Sequence, residues 1–239
     1  MSRTLLIIPV HNEAPSVRSI LMATRRYFSD HILIINDGST DGTTDELKKL
    51  DDHSLSIICR EKNKGYGASL IEGFQVAIDS RFDYAITMDA DWQHEPCRIP
   101  SFFEALDDFD VVSGSRYLEA SDRDSDAPLD RRSINQYITK LINGVTHFQL
   151  TDSFCGFKLY RTEALKRLSL DESGYAFPLQ FWIQAYHHKL RIREIPVPRI
   201  YLDAKRSFGA HLDDPAARRH YYEQVLTREC RRWQIPFSL

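Results

Sequence analysis

Residues 84–91, YAITMDAD, carry the signal that decides the fold: an unbroken apolar run ending in Asp89-Ala90-Asp91. An uninterrupted apolar strand suits a sheet covered on both faces, and ligands of parallel α/β sheets gather outside the carboxyl ends of the strands. At such an end the two carboxylates point the same way while Ala90 turns aside. They are hard oxygen donors for Mg²⁺ or Mn²⁺. Ions of this kind take one or two carboxylates and complete their shells with water and phosphate oxygens, which points to a diphosphate ligand. Gln93 and His94 follow closely. An Asp-x-Asp pair by itself is ambiguous, since Asp also serves as a turn or cap residue at strand-to-loop corners, so the surroundings have to decide.

Working outward, short β-branched runs recur at residues 5–10, 32–35, 55–59 and 111–112, and helical spacing fills 14–28, 43–50, 66–78 and 99–106. The alternation predicts an α/β fold with a mostly parallel central sheet flanked by helices. Each strand end meets a polar cluster: His11-Asn12-Glu13, Asn36-Asp37-Gly38-Ser39, Asp89-Ala90-Asp91 and Ser113-Gly114-Ser115-Arg116. Asp37 at the carboxyl edge can accept hydrogen bonds from a nucleobase N–H or a ribose hydroxyl. Glu13, one strand away, can do likewise, and Pro9 shapes the turn beneath the base. Ser39 through Gly42 reads as a turn and cap for the helix that starts at Thr43. Residues 63–67, NKGYG, read either as a helix entry or as a nucleotide contact that includes Lys64.

Residues 117–130 are rich in Asp and Ser and read as a surface loop able to act as a lid. Beyond them the pattern predicts a helix at 133–148, a strand at 156–160 and a helix from Thr162. A second helix follows at 181–188, then an edge strand at 192–197 beside Pro196 and Pro198, and a polar covering helix at 213–233. The expected organisation is one domain over residues 1–212 with a helical extension, 213–239, packed on it.

Composition narrows the function classes. With 31 Lys+Arg against 34 Asp+Glu the net charge is -3, which offers no global basic field for nucleic acid. Four cysteines without a Cys-x-x-Cys pair suit a reducing cytoplasm, and Cys155 reads as a small buried hydrophobe. No secretory signal and no run of ~18 apolar residues is present, so the expectation is a cytoplasmic protein that visits the cytoplasmic face of the membrane if its substrate is a lipid.

The blocks IPVHNEA (8–14), NDGSTDGT (36–43), NKGYGAS (63–69), MDADWQHEP (88–96) and GSRY (114–117), in that order, resemble glycosyltransferase family 2. Within it the nearest likeness is to the dolichol- or polyprenyl-phosphate sugar transferases, and it continues through 131–133, 151–157 and 174–177, about 200 residues in all. The resemblance implies a GT-A fold with a C-terminal extension, a nucleoside-diphosphate sugar donor, a divalent metal and inversion at the anomeric carbon. Carried over by position, Pro9, Glu13 and Asp37 would hold the nucleoside; Asp89, Asp91 and Gln93 the metal and diphosphate. Arg116 would grip an acceptor phosphate together with Arg131 or Arg132 and with Ser133. Lys205 and Arg206 fall in a segment similar to the family's basic loop over the diphosphate, or in a plain surface turn. At Gln180 the family usually has Glu. Gln cannot act as a base, which fits an acceptor that is already an anion, although a packing role for Gln180 is equally open; Asp91 or Asp152 could supply a base. Competing readings are transfer to a soluble or saccharide hydroxyl, a non-catalytic nucleotide-sugar binder, and, last, a sugar nucleotidyltransferase, whose glycine- and basic-rich phosphate loop is replaced here by His11-Asn12-Glu13.

Overall fold

A computed structural model describes residues 2–202 and 207–239. The first half is the expected βαβ series: β1 (Thr4–Val10), α1 (Val17–Thr24), β2 (His31–Asp37), α2 (Thr43–Lys48), β3 (Leu55–Arg60), α3 (Tyr66–Asp79), β4 (Tyr84–Thr87), α4 (Ile99–Glu104) and β5 (Val111–Ser115). It continues with α5 (Leu129–Thr146), β6 (Lys158–Arg161), α6 (Thr162–Leu165), α7 (Phe177–His187), β7 (Ile192–Pro196) and α8 (Pro215–Arg232). The described residues form one seven-stranded sheet in the order β3-β2-β1-β4-β6-β5-β7. Strands β3, β2, β1 and β4 run parallel, β7 is parallel to β5, and β6 lies antiparallel between β4 and β5.

Alternation along the central strands builds two cores. Leu5, Ile7, Leu33 and Ile35 face the helices α3, α5, α7 and α8, whereas Leu6, Ile8, Ile32 and Ile34 face α1 and α4. With both faces covered, the strands can be apolar throughout, and Leu5 to Ile8 are completely buried. The parallel register brings the carboxyl ends of β1, β2, β4 and β5 to one edge. Because β6 runs the other way, the segment leading into it, 152–157, arrives at that same edge.

Three elements depart from their expected form. α5 begins at Leu129 rather than at 133, directly after Pro128, so the end of the Asp-rich stretch is its first turn. α7 begins at Phe177 with Pro178 in its first turn, where a missing N–H has no partner to lose. α8 covers the domain through an apolar face that its polar composition does not suggest: Tyr222, Val225, Leu226 and Cys230 form a stripe at spacings of three and four that is buried against α5 and α7. Its polar composition concealed that stripe because two charged residues, Arg218 and Glu229, are buried with it. The 117–130 stretch is also tied down: Ser125 N–H donates to Arg199 O at 2.7 Å and Asp124 accepts from Arg199 N–H at 2.8 Å.

Candidate active site

A cavity of about 330 Å³ opens at the carboxyl edge of the sheet. Pro9, Asp37, Asp89, Asp91 and Gln93 line it together with Arg116 and Arg131. Carboxylates and guanidiniums thus face one space.

Among the carboxylates, Ala90 is buried while Asp89 and Asp91 are partly open. Gln93 donates both its backbone N–H (3.1 Å) and its side-chain amide (2.9 Å) to Asp91. Trp92 between them adopts a left-handed φ of 63°, which turns the chain tightly enough for both side chains to reach the cavity. His94 is buried and its Nδ1 accepts the Asp89 backbone N–H at 2.9 Å. Burial lowers its pKa to about 4, so the ring is neutral and orients the Asp89 backbone as an acceptor. The Tyr66 hydroxyl donates to Asp89 Oδ1 at 3.3 Å. Gly156 permits that arrangement, since a Cβ there would sit 2.6 Å from the Tyr66 hydroxyl and 3.1 Å from Asp89 Oδ2. Among the described residues no group of three or more His, Cys, Asp or Glu could hold a metal. The donor set of two carboxylates with an adjacent amide oxygen therefore fits an ion that takes its remaining ligands from phosphate and water.

Asp37 lines the cavity, but its carboxylate is heavily engaged. It accepts from the backbone N–H groups of Lys64 (2.9 Å) and Gly65 (2.8 Å) and from Arg60, also at 2.8 Å. Arg60, at the end of β3, went unnoticed in the sequence; a lone basic residue closing an apolar strand was the only signal. Lys64 contributes this backbone contact while its side chain is exposed, and Asn63 and Gly65 line the cavity instead. Gly65 has φ +107°, and a Cβ on it would lie 2.3 Å from Ser173 O, so only glycine lets the two loops meet. Residues 39–43 do more than cap α2. Ser39 accepts from Asn12 N–H at 2.9 Å, Asp41 from Ala14 N–H at 3.1 Å and Thr43 from Glu13 N–H at 2.8 Å, which fastens the first loop to the second. Glu13 itself is half-buried, accepts from the Ser16 hydroxyl at 3.0 Å, and is not part of the cavity wall.

Of the guanidiniums, Arg116 makes a bidentate pair with Asp152: Nε to Oδ2 at 2.6 Å and Nη2 to Oδ1 at 2.9 Å. Asp152 is fully buried and also accepts from Asn135 at 2.8 Å. Burial alone would raise its pKa, but the Arg116 charge and the hydrogen bonds hold it well below the usual carboxylate range. Asp152 thus orients Arg116 and is too enclosed and too weak a base to take a proton from substrate, contrary to the expectation of a catalytic base. Cys155 beside it is buried and its thiol is pushed up to about 11, consistent with an inert side chain.

Helix geometry separates the neighbours Arg131, Arg132 and Ser133, which successive turns of about 100° send to different sides. Arg131 lines the cavity, whereas Arg132 and Ser133 are exposed, and Ser133 spends its hydroxyl on Asp130 O at 3.0 Å. Lys205 and Arg206 lie outside the described residues. Gln180 takes the packing role rather than that of an acceptor contact: on α7 it is fully buried against α8 and does not line the cavity. Its Oε1 accepts the backbone N–H groups of Asp171 and Glu172 at 2.8 Å each, and its Nε2 donates to Asp171 (2.6 Å) and Glu229 (2.8 Å). From there Glu172 accepts from Gly174 N–H at 3.1 Å and from the Tyr221 hydroxyl at 2.5 Å, fixing the loop that carries Gly174 and Tyr175 into the cavity.

Residues 5–169 match the model of Glycosyl transferase family 2. The chain belongs to this family and is a glycosyltransferase with a GT-A fold. It is 30% identical over 228 residues to the UDP-N-acetylglucosamine–dolichyl-phosphate N-acetylglucosaminyltransferase of Methanococcus voltae, covering 87% of this chain and 89% of that one. It is 29% identical over 201 residues to the undecaprenyl-phosphate mannosyltransferase of Micrococcus luteus, covering 82% of each. Among solved structures, glucosyl-3-phosphoglycerate synthase from Mycobacterium tuberculosis, crystallised with Mn²⁺, UDP and glucosyl-3-phosphoglycerate, superposes with a TM-score of 0.74 at 16% identity, covering 99% of this chain and 82% of that one. The complex of that synthase with Mg²⁺ and UDP gives a TM-score of 0.72 at 15% identity, covering 99% and 81%. No helix among the described residues is long and apolar enough to cross a membrane.

Proposed function

We propose that the chain transfers a hexose, with inversion, from a nucleoside-diphosphate sugar to the phosphate of a polyprenyl or dolichyl phosphate presented at the membrane surface. The observation that carries this reading is that Asp89 and Asp91 line the same cavity as Arg116 and Arg131. The lipid-phosphate acceptors named for the relatives from M. voltae and M. luteus support it. On this reading residues 1–212 carry the reaction and 213–239 complete the wall.

Asp89 and Asp91, with Gln93 beside them, would hold a Mg²⁺ or Mn²⁺ ion, which supplies positive charge against the leaving diphosphate. Pro9 and Asp37 would border the nucleoside. Arg116, held by Asp152, and Arg131 would draw the acceptor anion to the opposite face of the sugar, so that one in-line displacement inverts the anomeric centre. A phosphate monoester has a second pKa of about 6 and is an anion at neutral pH. No general base is then required, in keeping with an Asp152 that is committed to Arg116.

A thermal-shift panel of nucleotide sugars with Mn²⁺ tests the donor side: a ligand at ~100 times its dissociation constant should stabilise the protein by about 2.7 kcal/mol. Radiolabelled transfer to polyprenyl phosphate, to the matching alcohol and to free sugars tests the acceptor. Asp91→Ala should abolish turnover and the metal-dependent part of the shift. Wild-type-like transfer by that variant in metal-free buffer would sink the metal assignment.

A further inference from the structure

Two arginines of the cavity share one aromatic ring. The guanidinium carbon of Arg131, in the first turn of α5, lies 4.8 Å from the centroid of Phe208, and that of Arg218, in the first turn of α8, lies 4.4 Å from the same centroid. All three residues line the cavity. Arg218 is only 2% exposed, donates Nη1 to Leu212 O at 2.8 Å and pairs through Nη2 with Asp130 at 2.5 Å. Asp130 itself is 38% exposed. A guanidinium this deeply buried is costly to keep as mere scaffolding, because desolvation of the charge offsets much of the ion pair's attraction. The planar, permanently charged group is, however, well matched to phosphate oxygens. The ring of Phe208 lies against both guanidiniums, so that an anion taking its place would meet both cations.

We propose that Arg218 is a second acceptor-phosphate residue. The incoming phosphate monoester replaces the Phe208 ring between Arg131 and Arg218 and competes with Asp130 for the Arg218 guanidinium. The C-terminal helix thereby becomes part of the acceptor site. This inference rests on the phosphate-acceptor reading above and adds to it a residue from an element whose sequence pattern has no link to substrate.

The test is calorimetric titration of the full chain, saturated with UDP and Mn²⁺, with a short-chain isoprenyl phosphate and with the corresponding alcohol. Wild type should bind the phosphate and not the alcohol. Arg218→Met should weaken phosphate binding at least tenfold, and Asp130→Asn should strengthen it several-fold by removing the competing carboxylate, both with UDP affinity within twofold of wild type. An Arg218 that only braces α8 predicts the opposite for Asp130→Asn: unchanged or weaker phosphate binding alongside a lower Tm. That result, or phosphate binding by Arg218→Met within twofold of wild type, overturns the inference while leaving the acceptor reading intact. Should Arg218→Met fail to fold, Asp130→Asn decides alone. Wild type that binds UDP but neither isoprenyl compound overturns the acceptor reading, and the inference with it.

Discussion

Asp152 shows how a buried charge is kept and what it is kept for. Fully enclosed, it is ionised because Arg116 meets both its oxygens and Asn135 adds a third donor. Removing one partner of such a pair strands the other charge, so Asp152→Asn should cost about 3–5 kcal/mol in urea unfolding. The pH dependence follows from the direction of the shift. The folded-state pKa lies below the unfolded value of about 3.9, so the contribution is present above pH ~4 and is lost as pH falls toward the folded pKa. Wild type should therefore lose stability below pH ~4 more steeply than Asp152→Asn, as acid titrations at fixed urea would show. Tyr66 is a gentler case: Tyr66→Phe removes a 3.3 Å bond to Asp89 and should weaken Mn²⁺ binding about tenfold, measurable by titration in the presence of UDP. Residue types at the strand ends were legible in the sequence because polar clusters recur in series after successive apolar runs, which a single turn or cap residue does not explain. Their partners were less so: Arg60 reaches Asp37 from a position whose spacing carries no signal, and although His94 and the block holding Tyr66 stood out, which atoms of Asp89 they meet emerges only in the folded chain.

Between elements, the α7–α8 seam illustrates a polar device in an otherwise apolar place. Gln180 and Gln184, one turn apart, donate to the two oxygens of Glu229 at 2.8 and 3.2 Å. Gln180→Glu would bring two buried carboxylates into contact and should lower stability by about 3 kcal/mol, a fall in Tm of roughly 6–12 °C for a chain of this size. The exchange Gln180→Glu with Glu229→Gln restores one donor facing one acceptor and should recover most of the loss. A double-mutant cycle with additive losses would show that the two residues do not interact. The two readings of Gln180 stayed open in the sequence for a physical reason: an amide serves as well in a buried hydrogen-bond network as at a substrate, and sequence spacing alone does not distinguish the two.

For the whole molecule, the βαβ half was legible almost strand by strand, since period-two burial and helical spacing are local properties. The second half was less so. β6 has only four residues, KLYR, and such a strand looks the same whichever way it runs. α8 reads as a polar cover, and its share of the core, Tyr222, Val225, Leu226 and Cys230, was not legible. Burying side chains of this size is worth roughly 1.5–3 kcal/mol each, comparable in sum with the ~5–15 kcal/mol that holds a domain together. Deleting residues 213–239 should therefore yield insoluble or unfolded chain rather than a trimmed domain; a folded truncation by circular dichroism would contradict this. The antiparallel β6 has one more effect. By standing between β4 and β5 it sets the strand ends that lead to Asp89 and Arg116 two strand spacings apart, about 10 Å. On the proposed assignment it acts as a ruler, holding leaving group and nucleophile apart by room for a single sugar ring.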